Sequence, residues 1–212
     1  MYLFSRSLRL APGNLNEAMT WAVGLTEKVN QIVELDVSLW TRVLSPAVGT
    51  LSWTAMAQDL EELEAGFAKL AVDGQYNTEV ARGAQFVSAA HGADDTLAQV
   101  VYGELDPQVR PAYVAVAMSQ LLPGQLAKGM EVGIEIAKKA EKIGGASTVF
   151  AVGSTGPYGN VAWISGYESI KQLEAAEQAV NGDPSFVALI DSKGSKSFNA
   201  AATQQIIVQR IV

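Results

Sequence analysis

Polar and large apolar residues alternate from Tyr2 to Arg9, the two-residue period of a half-buried strand, and Tyr113 to Met118 forms a more apolar counterpart. A Pro-Gly pair breaks each run, at Pro12-Gly13 and Pro123-Gly124. Behind the first break Leu15, Met19, Ala22, Thr26, Val29 and Val33 recur at helical spacing; behind the second, Leu126, Met130, Gly133, Ile134, Ala137 and Ala140 do so. Strands are expected next over 37–44 and 52–56, joined by a hairpin through Ser45-Pro46-Ala47-Val48-Gly49, and again over 148–152 and 160–165. Leu60, Leu63, Phe67 and Leu70 then share one helical face behind an Asp59 cap, as do Ile170, Leu173, Ala176 and Val180 behind Ser169. Asp73-Gly74 and Asn181-Gly182 read as left-handed stops for these helices. Short helices are expected over 78–89 and 184–190, and closing strands over 97–102 and 206–212.

The pattern is a duplication. Gly49-Thr50-Leu51-Ser52-Trp53 returns as Gly159-Asn160-Val161-Ala162-Trp163, and Ala71-Val72-Asp73-Gly74 as Ala179-Val180-Asn181-Gly182. Two units follow, 1–106 and 107–212, joined by the proline-containing segment 105–111. Each has the order strand, helix, strand, strand, helix, strand, which is the ferredoxin-like arrangement of an antiparallel sheet with helices on one face. Tyr113 to Met118 is too apolar on both sides to leave the other face in water, so a second sheet is expected to cover it.

In this element order, in Trp53 and Trp163 on the third strands and in the helix at fixed spacing behind each, the chain resembles the dimeric α+β-barrel superfamily. The antibiotic-biosynthesis-monooxygenase-like and NIPSNAP-like proteins belong to it. The resemblance implies an α+β fold of two tandem ferredoxin-like repeats packed as a barrel, within one chain or across a homodimer. Cofactor-independent oxygenases, haem-degrading enzymes and muconolactone-isomerase-like proteins share this fold, so it selects no chemistry. Haem-degrading members carry a late ligating His and an Asn in the first strand; here His91 is late, but Tyr2 to Leu8 holds no Asn.

Composition bounds the rest. Of 212 residues 49% are hydrophobic, 17% are charged and none is cysteine, which excludes disulfides and thiolate chemistry. The N-terminus reads as a strand rather than a signal peptide, and no apolar run reaches membrane-helix length, so a cytoplasmic protein without a membrane partner is expected. The net charge of −7 comes almost wholly from the first repeat and disfavours nucleic acid, while Lys138, Lys139 and Lys142 read as a solvated face.

Only His91 supplies an imidazole, making it the catalytic candidate by elimination, against the reading of an exposed loop residue. Asp94 and Asp95 beside it lack a third ligand at a defined spacing, so no metal site is assigned. Gly153 to Gly159 lacks the ending of a phosphate loop and reads as a hairpin; Asp191 to Phe198 reads as a flexible polar loop. Arg6, Arg9 and Arg42 fall on strands, where one pointing into a barrel would fix a carboxylate or enolate ligand through its planar fork, against the alternative of edge exposure or pairing with Glu34 or Asp36. Trp53, Trp163, Trp40 and Tyr158 are the ligand-binding candidates, though a tryptophan anchors sheet packing equally well.

Three functional readings follow. The first is binding of a small hydrophobic or aromatic molecule in an apolar barrel cavity, with cofactor-independent oxidation or isomerisation. The second is a non-catalytic assembly module with a solid core, and the third is haem binding. No cofactor is expected under the first two.

Overall fold

The computed structural model describes residues 1–104 and 109–212; the expected junction between 106 and 107 lies outside the described residues. The chain runs β1 (Tyr2–Arg9), α1 (Leu15–Ile32), β2 (Ser38–Val43), β3 (Thr50–Ala57), α2 (Leu60–Val72), α3 (Gly74–Gly83) and β4 (Asp94–Tyr102). It continues through β5 (Tyr113–Gln120), α4 (Leu126–Gly144), β6 (Thr148–Gly153), β7 (Asn160–Tyr167), α5 (Ile170–Gly182), α6 (Pro184–Leu189) and β8 (Gln204–Arg210). The strand order is β1-β3-β2-β8-β5-β7-β6-β4, a closed barrel. By contact, the chain divides into a unit of Met1–Leu97 with Gln209–Val212 and a unit of Ala98–Val208.

In the first unit β1 and β3 pair over their whole length, Arg6 facing Trp53 and Leu8 facing Leu51, and β2 adds Leu39 beside Trp53. Strand alternation therefore sends Phe4, Arg6 and Leu8 to the same face as Leu51, Trp53 and Ala55. Helices cover that face: the Trp53 indole Nε1–H donates to Thr26 Oγ1 on α1 at 2.7 Å, and its ring meets Trp21 edge-on at 6.0 Å. Trp21, Trp53, Phe86, Leu39 and Leu51 form a dense core. The fit is tight enough that a Cβ on Gly83 would fall 2.0 Å from the Trp21 ring.

The second unit repeats the plan. Ala117 faces Trp163 on β5 and β7, and Phe150 faces Trp163 on β6 and β7. The Trp163 Nε1–H donates to the Gly133 carbonyl at 2.8 Å, and Phe150 and Phe198 pack on its ring at 5.2 and 5.0 Å. Gly133 is required there, because a Cβ would meet the Phe150 ring at 2.2 Å.

The caps behave as read. Asp59 accepts from the Glu62 amide at 2.9 Å, and Ser169 from the Gln172 amide at 3.2 Å. The stops do not. Asp73 and Asp183 turn the chain in extended conformation (φ −80° and −81°) and cap α3 and α6, so no left-handed residue is needed. Asp183 accepts from the Ser185 and Phe186 amides at 2.8 and 2.9 Å.

A second departure bears on function. The segment read as a flexible loop, Asp191 to Phe198, is largely helical: α6 passes into a π-helical turn, Ile190–Gly194, and then an α-helical turn, Ser195–Ser197. Leu10 bridges to Val87 in the first unit and Leu121 to Phe198 in the second. The stretch from capping aspartate to bridge is one residue longer in the second repeat (Asp183 to Phe198, against Asp73 to Val87), and a π-turn is how a helix absorbs one extra residue.

Candidate functional site

The duplication allows the two units to be compared position by position. Pairing opposite the tryptophans makes Ala117 the counterpart of Arg6, Ala115 of Phe4 and Ser119 of Leu8. Equal spacing behind the caps Asp59 and Ser169 makes Glu177 the counterpart of Phe67. In the first unit bulkier side chains occupy these places, Leu8 buried, Phe4 half-buried, and Phe67 and Arg6 each about 40% exposed. Phe4 and Phe67 meet edge-on at 5.1 Å, and Arg6 extends to Asp95 in a bidentate ion pair with both contacts at 2.7 Å. In the second unit two alanines, a serine and a glutamate occupy those places.

The space so vacated is a cavity of about 650 Å³, in the range of small-molecule sites. Its floor is Ala115, Ala117, Ser119 and Ser165, and Trp163, Phe186 and Phe198 supply aromatic walls. The π-turn lines it through Ile190, Asp191 and Gly194. Floor hydroxyls are satisfied within the protein: Thr148 Oγ1 and Ser165 Oγ lie 2.8 Å apart, as do Ser119 Oγ and Thr203 Oγ1.

Tyr167, Glu177, Asn181 and Asp191 bring polar chemistry to the lining. Burial pushes the Tyr167 phenol up from its ordinary value; the Ser165 hydroxyl opposes this and the Glu177 carboxylate adds to it. The phenol therefore stays protonated and able to donate. Glu177 is half-buried, while Asp191 and Asn181 stand exposed.

The residues proposed from sequence are not gathered at one site. Trp163 lines the cavity. Trp53 is part of the filled core of the first unit, and Trp40 donates to Thr54 Oγ1 at 2.8 Å beneath the Arg210 guanidinium, 4.4 Å from its ring. Tyr158 is 83% exposed on the β6–β7 hairpin. His91 is exposed in a turn of the first unit and does not line the cavity. Arg6 pairs with Asp95 rather than with Glu34 or Asp36, and Glu34 pairs with Lys69 at 2.9 Å. The cavity lies on the helix-covered face of the second unit's sheet.

Sequence reading missed Ala115, Ala117, Tyr167 and Glu177. The signal was present in the repeat: small residues aligned with Phe4 and Arg6 mark an emptied core. Among the described residues no cluster of three or more His, Cys, Asp or Glu is arranged to hold a metal, and no helix is long and apolar enough to cross a membrane.

No family model matches the chain, and no curated protein does. Solved structures match over its whole length. A candidate monooxygenase from Fusobacterium nucleatum subsp. nucleatum superposes with a TM-score of 0.71 at 8% identity, over 100% of this chain and 92% of the other. An anthrone oxidase-like protein gives 0.66 at 12% identity, over 100% and 91%. A haem-binding protein from Thermus thermophilus gives 0.54 at 13% identity, over 100% and 91%. Likeness at such identities establishes architecture alone: the chain has the ferredoxin-like α+β-barrel fold.

Proposed function

We propose that this protein binds a small apolar, aromatic-bearing molecule in the cavity of its second unit. One observation carries the reading: the bulkier side chains on this face of the first unit, Phe4, Arg6 and Phe67, are replaced in the second by Ala115, Ala117 and Glu177 around about 650 Å³. Burying aromatic surface against Trp163, Phe186 and Phe198 supplies affinity, at roughly 25 cal/mol per Å² of apolar area removed from water. The protonated Tyr167 phenol is placed to donate a hydrogen bond, and the Glu177 carboxylate near it to accept a proton. That pairing supports proton transfer within a bound aromatic, either isomerising it or deprotonating it for oxidation by dioxygen, which would be the electron acceptor in the absence of a cofactor; two structural neighbours are described as a candidate monooxygenase and an anthrone oxidase-like protein.

Haem does not fit this lining. Among the lining residues no His, Cys or Met offers the iron a ligand and no Lys or Arg meets a propionate; Tyr167 alone has a suitable atom, beside a carboxylate. The reading as a solid-core assembly module describes the first unit's filled space and not the second's. Titration with 2-methylnaphthalene, followed by tryptophan fluorescence, tests the proposal. Saturable binding at one site per chain is expected, and the absence of binding up to the probe's solubility overturns it.

A further inference from the structure

Resting on that reading, we infer that the cavity selects its ligand by charge, admitting uncharged and cationic aromatic molecules and rejecting carboxylates. The ionisable side chains along the lining are Tyr167, Glu177 and Asp191, and among the lining residues there is no Lys, Arg or His. Lys193, the basic residue of the π-turn, is held away by Glu135, both carboxylate oxygens lying within 2.8 Å of its ammonium. Lys139, Lys142 and Asp183 belong to a separate surface depression on the other side of α4, with Glu131 and Glu135.

Glu177 is the more telling of the two acids. Its counterpart Phe67, though 40% exposed, packs edge-on against Phe4, and Leu63 and Leu70 on the same helix keep their apolar character as Leu173 and Val180. A carboxylate thus stands, half-buried, where the first repeat has a ring. It faces a phenol that stays neutral, and among the described residues no side chain makes a hydrogen bond or ion pair to it. With no such partner among the described residues, the Glu177 carboxylate is open to a ligand donor or cation, and a ligand ammonium supplies both. A ligand carboxylate placed there meets like charge instead.

The test uses three probes sharing one ring system: 2-naphthylmethylammonium, 2-methylnaphthalene and 2-naphthoate, titrated into the full chain at low ionic strength. The ammonium is expected to bind at least as tightly as the neutral probe and roughly tenfold or more tighter than the naphthoate, the size of a partly screened charge contact. Glu177→Gln is expected to shrink the ammonium-to-naphthoate ratio at least about threefold, and added salt to shrink it in the wild type. Reading a ratio cancels any general loss of affinity in the variant. Equal affinity for ammonium and naphthoate, or a ratio unmoved by both Glu177→Gln and Asp191→Asn, overturns the inference while leaving the binding proposal intact if 2-methylnaphthalene binds. Failure of all three probes overturns both.

Discussion

Ala115→Phe transplants into the second unit the residue that fills the first. Ala115 pairs with Ser165 as Phe4 pairs with Ala55, so the new ring points from the same strand position into the cavity of about 650 Å³. Filling an empty apolar space of this kind stabilises by about 0.5–2 kcal/mol, the burial gain being partly offset by the lost freedom of the ring. For a chain of this size that raises the melting temperature by about 2–4 °C per kcal/mol. The same ring occupies volume that a ligand needs, so affinity for 2-methylnaphthalene should fall at least about tenfold. Thermal unfolding and fluorescence titration on one preparation read both effects. Destabilisation by about 1–3 kcal/mol, the usual result of overpacking a closed core, would mean that no open cavity exists. Unchanged affinity would mean that the ligand sits elsewhere.

Three further outcomes are expected. Thr26→Val leaves the buried Trp53 indole N–H without an acceptor and should cost about 1–3 kcal/mol in urea unfolding, with 2-methylnaphthalene binding unchanged. His91→Ala should shift stability by no more than about 0.5 kcal/mol and leave probe binding intact, because the residue is exposed and outside the cavity lining; a large loss of binding would return His91 to the site. The Asp183 carboxyl lies below the ordinary aspartate range, held chiefly by the Ser185 hydroxyl and the Phe186 amide. Its ionised cap should therefore stabilise α6 at all pH above that range and lose effect as pH falls through it. Melting curves of Asp183→Asn against wild type should converge on the acid side and diverge at neutral pH.

Much of the fold was legible in the residues. β1 is expected and found over 2–9, and Asp59 and Ser169 cap the helices they precede, because alternation and capping are local signals. The helical run through Ile190–Gly194 was not legible, since Asp191 to Ser197 is polar and holds a glycine. Its helicity comes from the Asp183 cap, from hydroxyls of Ser192 and Ser195 bonding back to the carbonyls of Ala188 and Asp191, and from the Lys193 pair with Glu135. The site failed for a different reason. His91 and the conspicuous aromatics stand out by residue type, whereas a cavity is made by what is small. Ala115 and Ala117 carry no chemical signature alone and acquire one only opposite Phe4 and Arg6.

The most direct test is a crystal structure of the protein soaked with 2-methylnaphthalene. The naphthalene ring should appear in the second unit, over Ala115 and Ala117 and against Trp163, with Phe4 and Phe67 still in contact in the first. A second unit closed by its own side chains, with the probe absent or bound elsewhere, would contradict the account.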